Sequence, residues 1–272
     1  MWSRRQSLKA LALKALALRT IGAAALMQTG FATASSARAA VDARVPDKHP
    51  VRLIVLDVGG TIIQDHGEVP TAMQSALAHG GVAVTLAEIG EWRGASKRGM
   101  VRHFVELRSK AGTDRAAVTE AIYRDFSAQV NKAYADVQPI AGAEEAFRAM
   151  RRRSLLLATT TGFDRDLTTK IFRRLGWQDY FVASITSDDV VDGRPAPFML
   201  FHAMEAAHVD RVADVVAVGD TPLDLQAGSN AGLRGVIGVL SGAGTPERLT
   251  REPHTHILPS VAELPDLLGS TF

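Results

Sequence analysis

The stretch VRLIVLDVGGT, residues 51–61, decides the fold class of this chain and points to its chemistry. Its first six residues form an apolar run with the length and composition of a buried parallel strand. The run ends at Asp57, and two glycines and a threonine follow it. Backbone amides in such a turn can surround a phosphate next to a carboxylate that is able to attack phosphorus. The stretch therefore predicts a strand that presents a nucleophile to a phosphate-binding turn.

Strand-like and helix-like patterns alternate along most of the remaining chain. Short apolar runs, partly β-branched, occupy Leu155–Thr159, Phe181–Ile185, Val212–Val218 and Gly235–Leu240. Amphipathic segments lie between them at 142–152, 164–175, 196–207 and 222–231. This alternation predicts an α/β fold with a doubly wound parallel sheet.

Residues 70–137 interrupt the alternation, because they have helical patterns throughout and no clear strand. Charged helical faces lie at Lys97–Lys110 and Asp114–Val130. We expect a small all-helical cap inserted after the first strand, with residues 40–69 and 138–272 forming the core. Ligands of doubly wound sheets bind beyond the carboxyl ends of the strands, so a cap at this position would cover the site.

The N-terminal 39 residues differ from the rest of the chain in charge. They contain six of the 31 basic residues and no acidic one, which leaves 25 basic against 29 acidic residues in the remainder and argues against nucleic-acid binding. Residues 3–9, SRRQSLK, resemble a twin-arginine signal, and an apolar stretch and an A-x-A site at 37–39 follow. We expect a signal peptide over residues 1–39 and a periplasmic protein without a membrane anchor after processing. The alternative is a cytoplasmic protein with a tail that carries two arginines by chance.

Polar residues recur after the predicted strands in the segments TTTG (159–162), GRPAP (193–197) and GDTPLD (219–224). Threonine hydroxyls and an arginine fork can hold phosphate oxygens, which makes phosphate ligands of Thr160, Thr161 and Arg194. Each segment also has an ordinary explanation as a helix cap, a turn or a surface loop. The ordered set is much harder to explain by chance.

Carboxylates at the same predicted edge offer the oxygen ligands that Mg²⁺ prefers. The candidates are Asp57, Asp220 and Asp224, with room left for water and a substrate phosphate. Asp224 has an equally good alternative as a solvated acid in the first turn of a helix.

This ordered set resembles the motifs of the haloacid dehalogenase superfamily of hydrolases, over roughly residues 51–268. Within the superfamily the chain is most similar to the phosphonatase-like branch. Gly59 is small where many superfamily phosphatases carry a second aspartate, Arg194 replaces the more usual lysine, and Lys97 falls where the branch has its imine-forming lysine. Arg93 and Met100 depart from the phosphonatase pattern of a methionine and a histidine, so the substrate itself stays open.

The resemblance implies a Rossmann-like core, a helical cap and Mg²⁺ as cofactor. Asp57 would be the phosphoryl acceptor, and the metal would be bound by the side chains of Asp57 and Asp220 and by the Gly59 carbonyl. The partner would be a small-molecule phosphonate or phosphate. Relatives often pair through the cap, which makes a homodimer an expectation.

The missing acid at Gly59 fits a particular leaving group. Protonating an alkoxide that leaves from phosphorus normally needs a general acid, worth about 10²–10⁴-fold in rate. A carbon leaving group needs an electron sink instead, and an iminium on Lys97 would provide one. Lys97 must be neutral when it attacks, so we expect a desolvated site beneath the cap. Its alternative is a solvated lysine at the start of a cap helix.

Four functions remain at this point. The first is a Mg²⁺-dependent hydrolase that cleaves a small phosphonate or related organophosphorus compound through an aspartyl-phosphate on Asp57, with an imine on Lys97. The second is a phosphomonoester phosphatase of the phosphoglycolate phosphatase type, in which Lys97 only binds substrate. A 2-haloacid dehalogenase needs no Mg²⁺, so the pair Asp220 and Asp224 argues against it. The intact set of candidate residues argues against a non-catalytic binding protein.

Overall fold

The computed structural model describes residues 50–272, and the predicted signal peptide lies outside these residues. Its strands are β1 Leu53–Asp57, β2 Leu156–Thr161, β3 Ala183–Thr186, β4 Val215–Gly219, β5 Gly235–Val239 and β6 His256–Leu258. Its α-helices are α1 Glu68–His79, α2 Leu86–Gly90, α3 Lys97–Arg108, α4 Arg115–Ala133, α5 Ala143–Arg152, α6 Arg165–Leu175, α7 Phe198–Ala206, α8 Pro222–Asn230, α9 Pro246–Leu249 and α10 Leu264–Thr271.

The six strands form one parallel sheet in the order β3-β2-β1-β4-β5-β6. The first strand is central, because the chain adds β2 and β3 on one side of it and β4, β5 and β6 on the other. The direction of winding reverses at β1, and this reversal places the ligand crevice at the carboxyl end of that strand. The predicted doubly wound α/β sheet is confirmed.

Alternate residues of β1 pack into two separate cores, as expected for a strand covered on both faces. Ile54 and Leu56 belong to the core that includes α5 and α6, whereas Leu53 and Val55 belong to the core that includes α7 and α8. All five residues of β1 are buried, so the carboxylate of Asp57 is held at the end of a fully covered strand.

Several strand bounds differ from the sequence expectation. Strand β2 continues to Thr161, so Thr160 and Thr161 are strand residues rather than a turn. Residues Val212–Asp214 form a 3-10 turn before β4. The sequence patterns also missed β6, a three-residue edge strand of half-buried residues, because it is too short to show a period.

Residues 68–136 contain helices and no strand of the sheet, in agreement with the expected helical insert. The two chain connections to this segment run side by side: the Gln64 amide donates to the Gln138 carbonyl at 2.9 Å, and the Ile140 amide donates to the Ile62 carbonyl at 2.9 Å. The helix α1 begins at Glu68, two residues before the expected boundary. Within residues 50–272, no helix has the length and apolarity that crossing a membrane requires.

Candidate active site

Strand register assembles the candidate residues at one edge of the sheet. Asp57 is the register partner of Thr160 on β2. On the other side, Leu56 pairs with Val218 on β4, so Asp220 emerges just beyond the same edge. Parallel strands end together, and residues far apart in sequence therefore meet at this point.

Arg194 is the central link of the site, and its side chain is only 4% exposed. Its Nη1 lies 2.7 Å from Asp57 Oδ1 and 2.9 Å from Asp224 Oδ1. Its Nη2 donates to the Thr160 carbonyl at 2.9 Å and to Thr160 Oγ1 at 2.8 Å. The guanidinium plane is therefore fixed by acceptors on two strands and a helix, and it holds one oxygen of Asp57 while Oδ2 stays outside that ion pair.

The two candidate threonines have different surroundings, because alternate residues of a strand face opposite sides. The Thr160 hydroxyl accepts from Arg194, and Thr160 does not line the cavity that contains Asp57. Thr161 does line that cavity, and its Oγ1 accepts from the Phe163 amide at 3.2 Å. Thr161 and the neighbouring Gly162 are therefore the β2 residues that can approach a phosphoryl group directly, whereas Thr160 positions the arginine.

Three carboxylates, those of Asp57, Asp220 and Asp224, are buried with ligand atoms within 4.8 Å of one another. Burial raises the pKa of Asp57 to about 6, against the opposing charge of Arg194. Burial and the nearby carboxylates of Asp57 and Asp224 raise the pKa of Asp220 well above its ordinary value. A divalent cation stabilises the ionised form of crowded, buried carboxylates such as those of Asp57 and Asp220, so the residues fit Mg²⁺.

Asp220 is held by one main-chain donor and one side-chain donor on two glycine-rich loops. Its Oδ2 accepts from the Ala243 amide at 2.6 Å, and its Oδ1 accepts from Thr61 Oγ1 at 3.4 Å. Gly60 has φ +83°, and a Cβ at this position would lie 2.5 Å from Asp220 Oδ2. The second glycine of the opening motif is therefore required both by its left-handed backbone and by the carboxylate packed against it.

Asp224 is a buried residue of helix α8 and not a solvated first-turn acid. Its Oδ2 accepts from the Thr221 amide at 3.0 Å and from the Thr221 hydroxyl at 2.5 Å, in a capping box. Its Oδ1 pairs with Arg194. Asp224 therefore orients the arginine and the start of α8. One of its oxygens also lies within 4.8 Å of oxygens of Asp57 and Asp220.

A cavity lies between the core residues and the helical segment. The core side contributes Asp57, Gly59 and Asp220, and the helical side contributes Arg93 and Lys97. The expected placement of the helical insert over the carboxyl ends of the strands agrees with this lining.

Lys97 is the first residue of α3 and is only 6% exposed, so the alternative of a solvated lysine is wrong. Its Nζ donates to the Ala95 carbonyl at 2.9 Å and lies 5.8 Å from the centre of the Phe163 ring. Burial lowers the pKa of Lys97 to about 8. Gly162 allows this approach, since a Cβ there would lie 3.1 Å from Nζ and 2.5 Å from the Ala95 carbonyl oxygen.

Phe163 borders position 59, where the acid is missing. A Cβ built on Gly59 would lie 3.2 Å from Cζ of the Phe163 ring. An aspartate side chain would have to extend from that Cβ into space beside the ring. The position that a general acid could use is thus bordered by an aromatic wall that also flanks Lys97.

Sequence reasoning did not assign three further cavity residues. Asp65 and Arg93 form an ion pair with 2.5 Å between Oδ2 and Nη2, and both line the cavity. Tyr134 lines it as well, with its ring 5.5 Å from that of Phe163. The sequence marked Arg93 only as a departure from the phosphonatase pattern, and it carries no signal for Tyr134, which lies beyond the far end of α4.

The comparison with protein families agrees with this geometry. A family model described as haloacid dehalogenase-like hydrolase matches residues 51–232, which include Asp57, Lys97, Arg194 and Asp220. The chain belongs to the haloacid dehalogenase-like hydrolase family. It is therefore a hydrolase, and the resemblance stated from its motifs is confirmed.

Individual relatives place this family member near the phosphonatases. The chain is 30% identical to the phosphonoacetaldehyde hydrolase of Nitratidesulfovibrio vulgaris over 196 residues, which cover 68% of this chain and 70% of the relative. It is 32% identical to that of Bordetella avium over 210 residues, 71% of this chain and 74% of the relative. A crystal structure of a phosphonoacetaldehyde hydrolase-like protein from Oleispira antarctica superposes with a TM-score of 0.71 at 22% identity, covering 81% of this chain and 92% of that one.

Proposed function

We propose that this hydrolase cleaves the carbon–phosphorus bond of a small phosphonate that carries an aldehyde, with an aspartyl-phosphate on Asp57 and an imine on Lys97. The observation that supports the proposal is the buried amine of Lys97 in the same cavity as the buried carboxylate of Asp57. The similarity to phosphonoacetaldehyde hydrolases supports the same substrate class.

Lys97 prepares the substrate in the proposed mechanism. The neutral amine attacks the aldehyde carbon, the carbonyl oxygen leaves as water, and an iminium remains. A pKa of about 8 leaves a useful fraction of neutral amine near neutral pH, which an ordinary lysine would not have.

Asp57 then attacks phosphorus through the oxygen that Arg194 does not hold. The carbon–phosphorus electron pair moves into the iminium, which becomes an enamine. Protonation at carbon and attack by water release the aldehyde and free Lys97, and a second water releases phosphate from Asp57. The sum is one phosphonate and one water converted to an aldehyde and phosphate.

Arg194, Thr161 and the main chain at Gly162 bind the phosphoryl oxygens in this proposal. Asp57, Asp220 and Asp224, with the Gly59 carbonyl, would hold Mg²⁺, which when bound offsets the charge of the attacking carboxylate and of the phosphoryl group. The side chain of Asp224 acts mainly by orienting Arg194.

Reductive trapping tests the imine. The protein is incubated with phosphonoacetaldehyde and borohydride, and the modified residue is mapped by mass spectrometry. We expect one adduct on Lys97, absent in Lys97→Arg, which keeps a positive charge but cannot form an imine. Asp57→Asn is the matched control, because it should still form the adduct while phosphate release falls by at least about 10³-fold.

Two outcomes would contradict the proposal. Phosphate release from phosphonoacetaldehyde by Lys97→Arg at the wild-type rate would exclude the imine. Turnover of ordinary phosphate esters without any adduct would favour the alternative, a phosphomonoester phosphatase of the phosphoglycolate phosphatase type, in which Lys97 binds substrate only.

We also propose that residues 1–39 direct export to the periplasm, on the strength of the SRRQSLK segment and the A-x-A site alone. The N-terminal residue of the protein recovered from a periplasmic fraction tests this. An intact Met1 on cytoplasmic protein would contradict it. A homodimer stays a prediction, and light scattering on the purified protein measures it.

A further inference from the structure

Tyr134 presents a buried hydroxyl that the proposed mechanism does not use. The residue is 5% exposed and lines the cavity that contains Asp57 and Lys97. Its Oη has no hydrogen-bond partner among the described residues. Most buried polar groups in folded proteins are paired, so an unpaired hydroxyl on a residue that lines the cavity needs an explanation.

The unpaired hydroxyl is costly, because a buried donor without a partner loses its hydration and gains nothing in return. Phenylalanine would fill nearly the same space against Phe163, the aromatic neighbour at 5.5 Å, without that cost. A ligand that supplies an acceptor would remove the cost on binding.

The surroundings of Tyr134 favour the protonated phenol. Burial and the negative charges of Asp65 and Glu68 hold the pKa of the Tyr134 hydroxyl well above its ordinary value. The group therefore stays a hydrogen-bond donor over any practical assay range and is a poor proton source. It suits binding an oxygen acceptor rather than transferring a proton.

The position of Tyr134 relative to Lys97 identifies which end of a substrate it would meet. Both residues border the Phe163 ring, with the Lys97 Nζ 5.8 Å from its centre. The carboxylate that attacks phosphorus, Asp57, belongs to the core strand β1, whereas Lys97 and Tyr134 belong to the helical segment and its end.

We propose that the Tyr134 hydroxyl is a substrate-binding donor for an oxygen acceptor at the end of the substrate away from phosphorus, a carbonyl or carboxylate oxygen. This inference rests on the proposed function, and it adds a determinant of specificity to it: phosphonates with such an oxygen are held better than simple alkyl phosphonates. During imine formation the same donor would polarise the carbonyl that Lys97 attacks.

The first test uses the sign of the stability change. Tyr134→Phe removes an unpaired donor, so we expect Tm to rise by about 2–4 °C while binding at the carbonyl end weakens. A hydroxyl with a purely structural role, such as one that holds a buried water, would instead give a lower Tm on removal.

Tyr123→Phe is the matched control. Tyr123 is buried to a similar degree on α4, but its hydroxyl donates to Asp164 at 2.8 Å and it does not line the cavity. We expect this variant to lose stability and to keep wild-type binding and activity. The two substitutions should thus change Tm in opposite directions, and only Tyr134→Phe should weaken binding.

The second test measures binding of two ligands by calorimetry, with Mg²⁺ present. Phosphonoacetate carries an oxygen acceptor away from phosphorus, and methylphosphonate does not. We expect Tyr134→Phe to bind phosphonoacetate about 3- to 10-fold more weakly than wild type and to bind methylphosphonate equally well. Equal affinity of both proteins for phosphonoacetate would overturn the role of Tyr134 and leave the proposed function standing. If wild type bound neither phosphonate, the proposed function would fail, and this inference with it.

Discussion

At the residue scale, five charged side chains at the centre of the site are buried. The balance of their positive and negative charges controls the chemistry. The three carboxylates belong to Asp57, Asp220 and Asp224, and the two cations are Lys97 and Arg194. Burial without full compensation is costly, which is why the pKa of Asp57 is raised and that of Lys97 is lowered. A divalent cation and an anionic phosphoryl group would complete the balance, so the resting site is arranged for both.

The lowered pKa of Lys97 predicts a pH profile for reductive trapping. With a pKa of about 8, the neutral fraction rises from about 3% at pH 6.5 to about 90% at pH 9. The initial rate of adduct formation should therefore rise about 30-fold over this range and level off above pH 9. The measurement is the initial rate of adduct formation on Lys97 at a series of pH values.

An ordinary lysine gives the contrasting profile. The lysine side chain of a small peptide with a blocked N-terminus, treated in parallel, should keep gaining about 10-fold per pH unit up to its pKa near 10.4. A Lys97 profile without a plateau below pH 10 would show that desolvation does not act on this amine.

At the element scale, helix α3 starts at the catalytic candidate. Ser96 is its N-cap residue, with Oγ accepting from the Gly99 amide at 3.2 Å, and Lys97 is the first helical residue. The positive end of the helix dipole disfavours a charged ammonium at this place, in the same direction as burial. The helix terminus therefore positions the amine and acts on its pKa in the same direction as burial.

Loss of the Ser96 cap should slow trapping by Lys97 more than the loss of stability alone would explain. Ser96→Ala should lower the free energy of unfolding by about 1 kcal/mol. Because the first turn of α3 carries Lys97, we also expect the trapping rate to fall several-fold. Asp114→Ala, which removes the N-cap of α4, should cost similar stability without slowing trapping. Equal trapping rates in the two variants would show that the Ser96 cap does not position Lys97.

At the scale of the whole molecule, the winding of the sheet brings the carboxylates together. Asp57 ends β1, Asp220 follows β4, and Asp224 lies on α8, so more than 160 residues separate the first from the others. The candidate metal-binding cluster forms only in the folded protein, and a cation that binds it must stabilise the fold.

Addition of Mg²⁺ should therefore raise Tm, and removal with a chelator should reverse the change. At a Mg²⁺ concentration about 100-fold above its Kd, the expected gain is about 2.7 kcal/mol in the free energy of unfolding. Thermal unfolding with and without Mg²⁺ measures the effect. Asp220→Asn should remove most of the gain, whereas Asp189→Asn, an acid after β3 outside the cluster, should keep it. A Tm that is independent of Mg²⁺ in the wild type would contradict the site.

The sequence alone determined the class of fold and most of the residues in the site. Periodicity was sufficient for five strands and for the helical segment, because buried parallel strands and amphipathic helices are local patterns. The position of Asp57 at the end of an apolar run identified the edge of the sheet where the site lies. The resemblance of the ordered motifs supplied the family, which the comparisons confirmed.

Only the tertiary structure decided how these residues divide their roles. Sequence treated Thr160 and Thr161 alike, but the alternation of β2 turns Thr160 towards Arg194 and leaves Thr161 at the cavity. The sequence left open whether Lys97 is solvated or desolvated. The structure shows that it is buried, with its amine near the Phe163 ring. Tyr134 had no sequence signal at all. Burial, and with it the pKa of a lysine or the cost of an unpaired hydroxyl, depends on neighbours distant in sequence, and so it is a property of the fold and not of any motif.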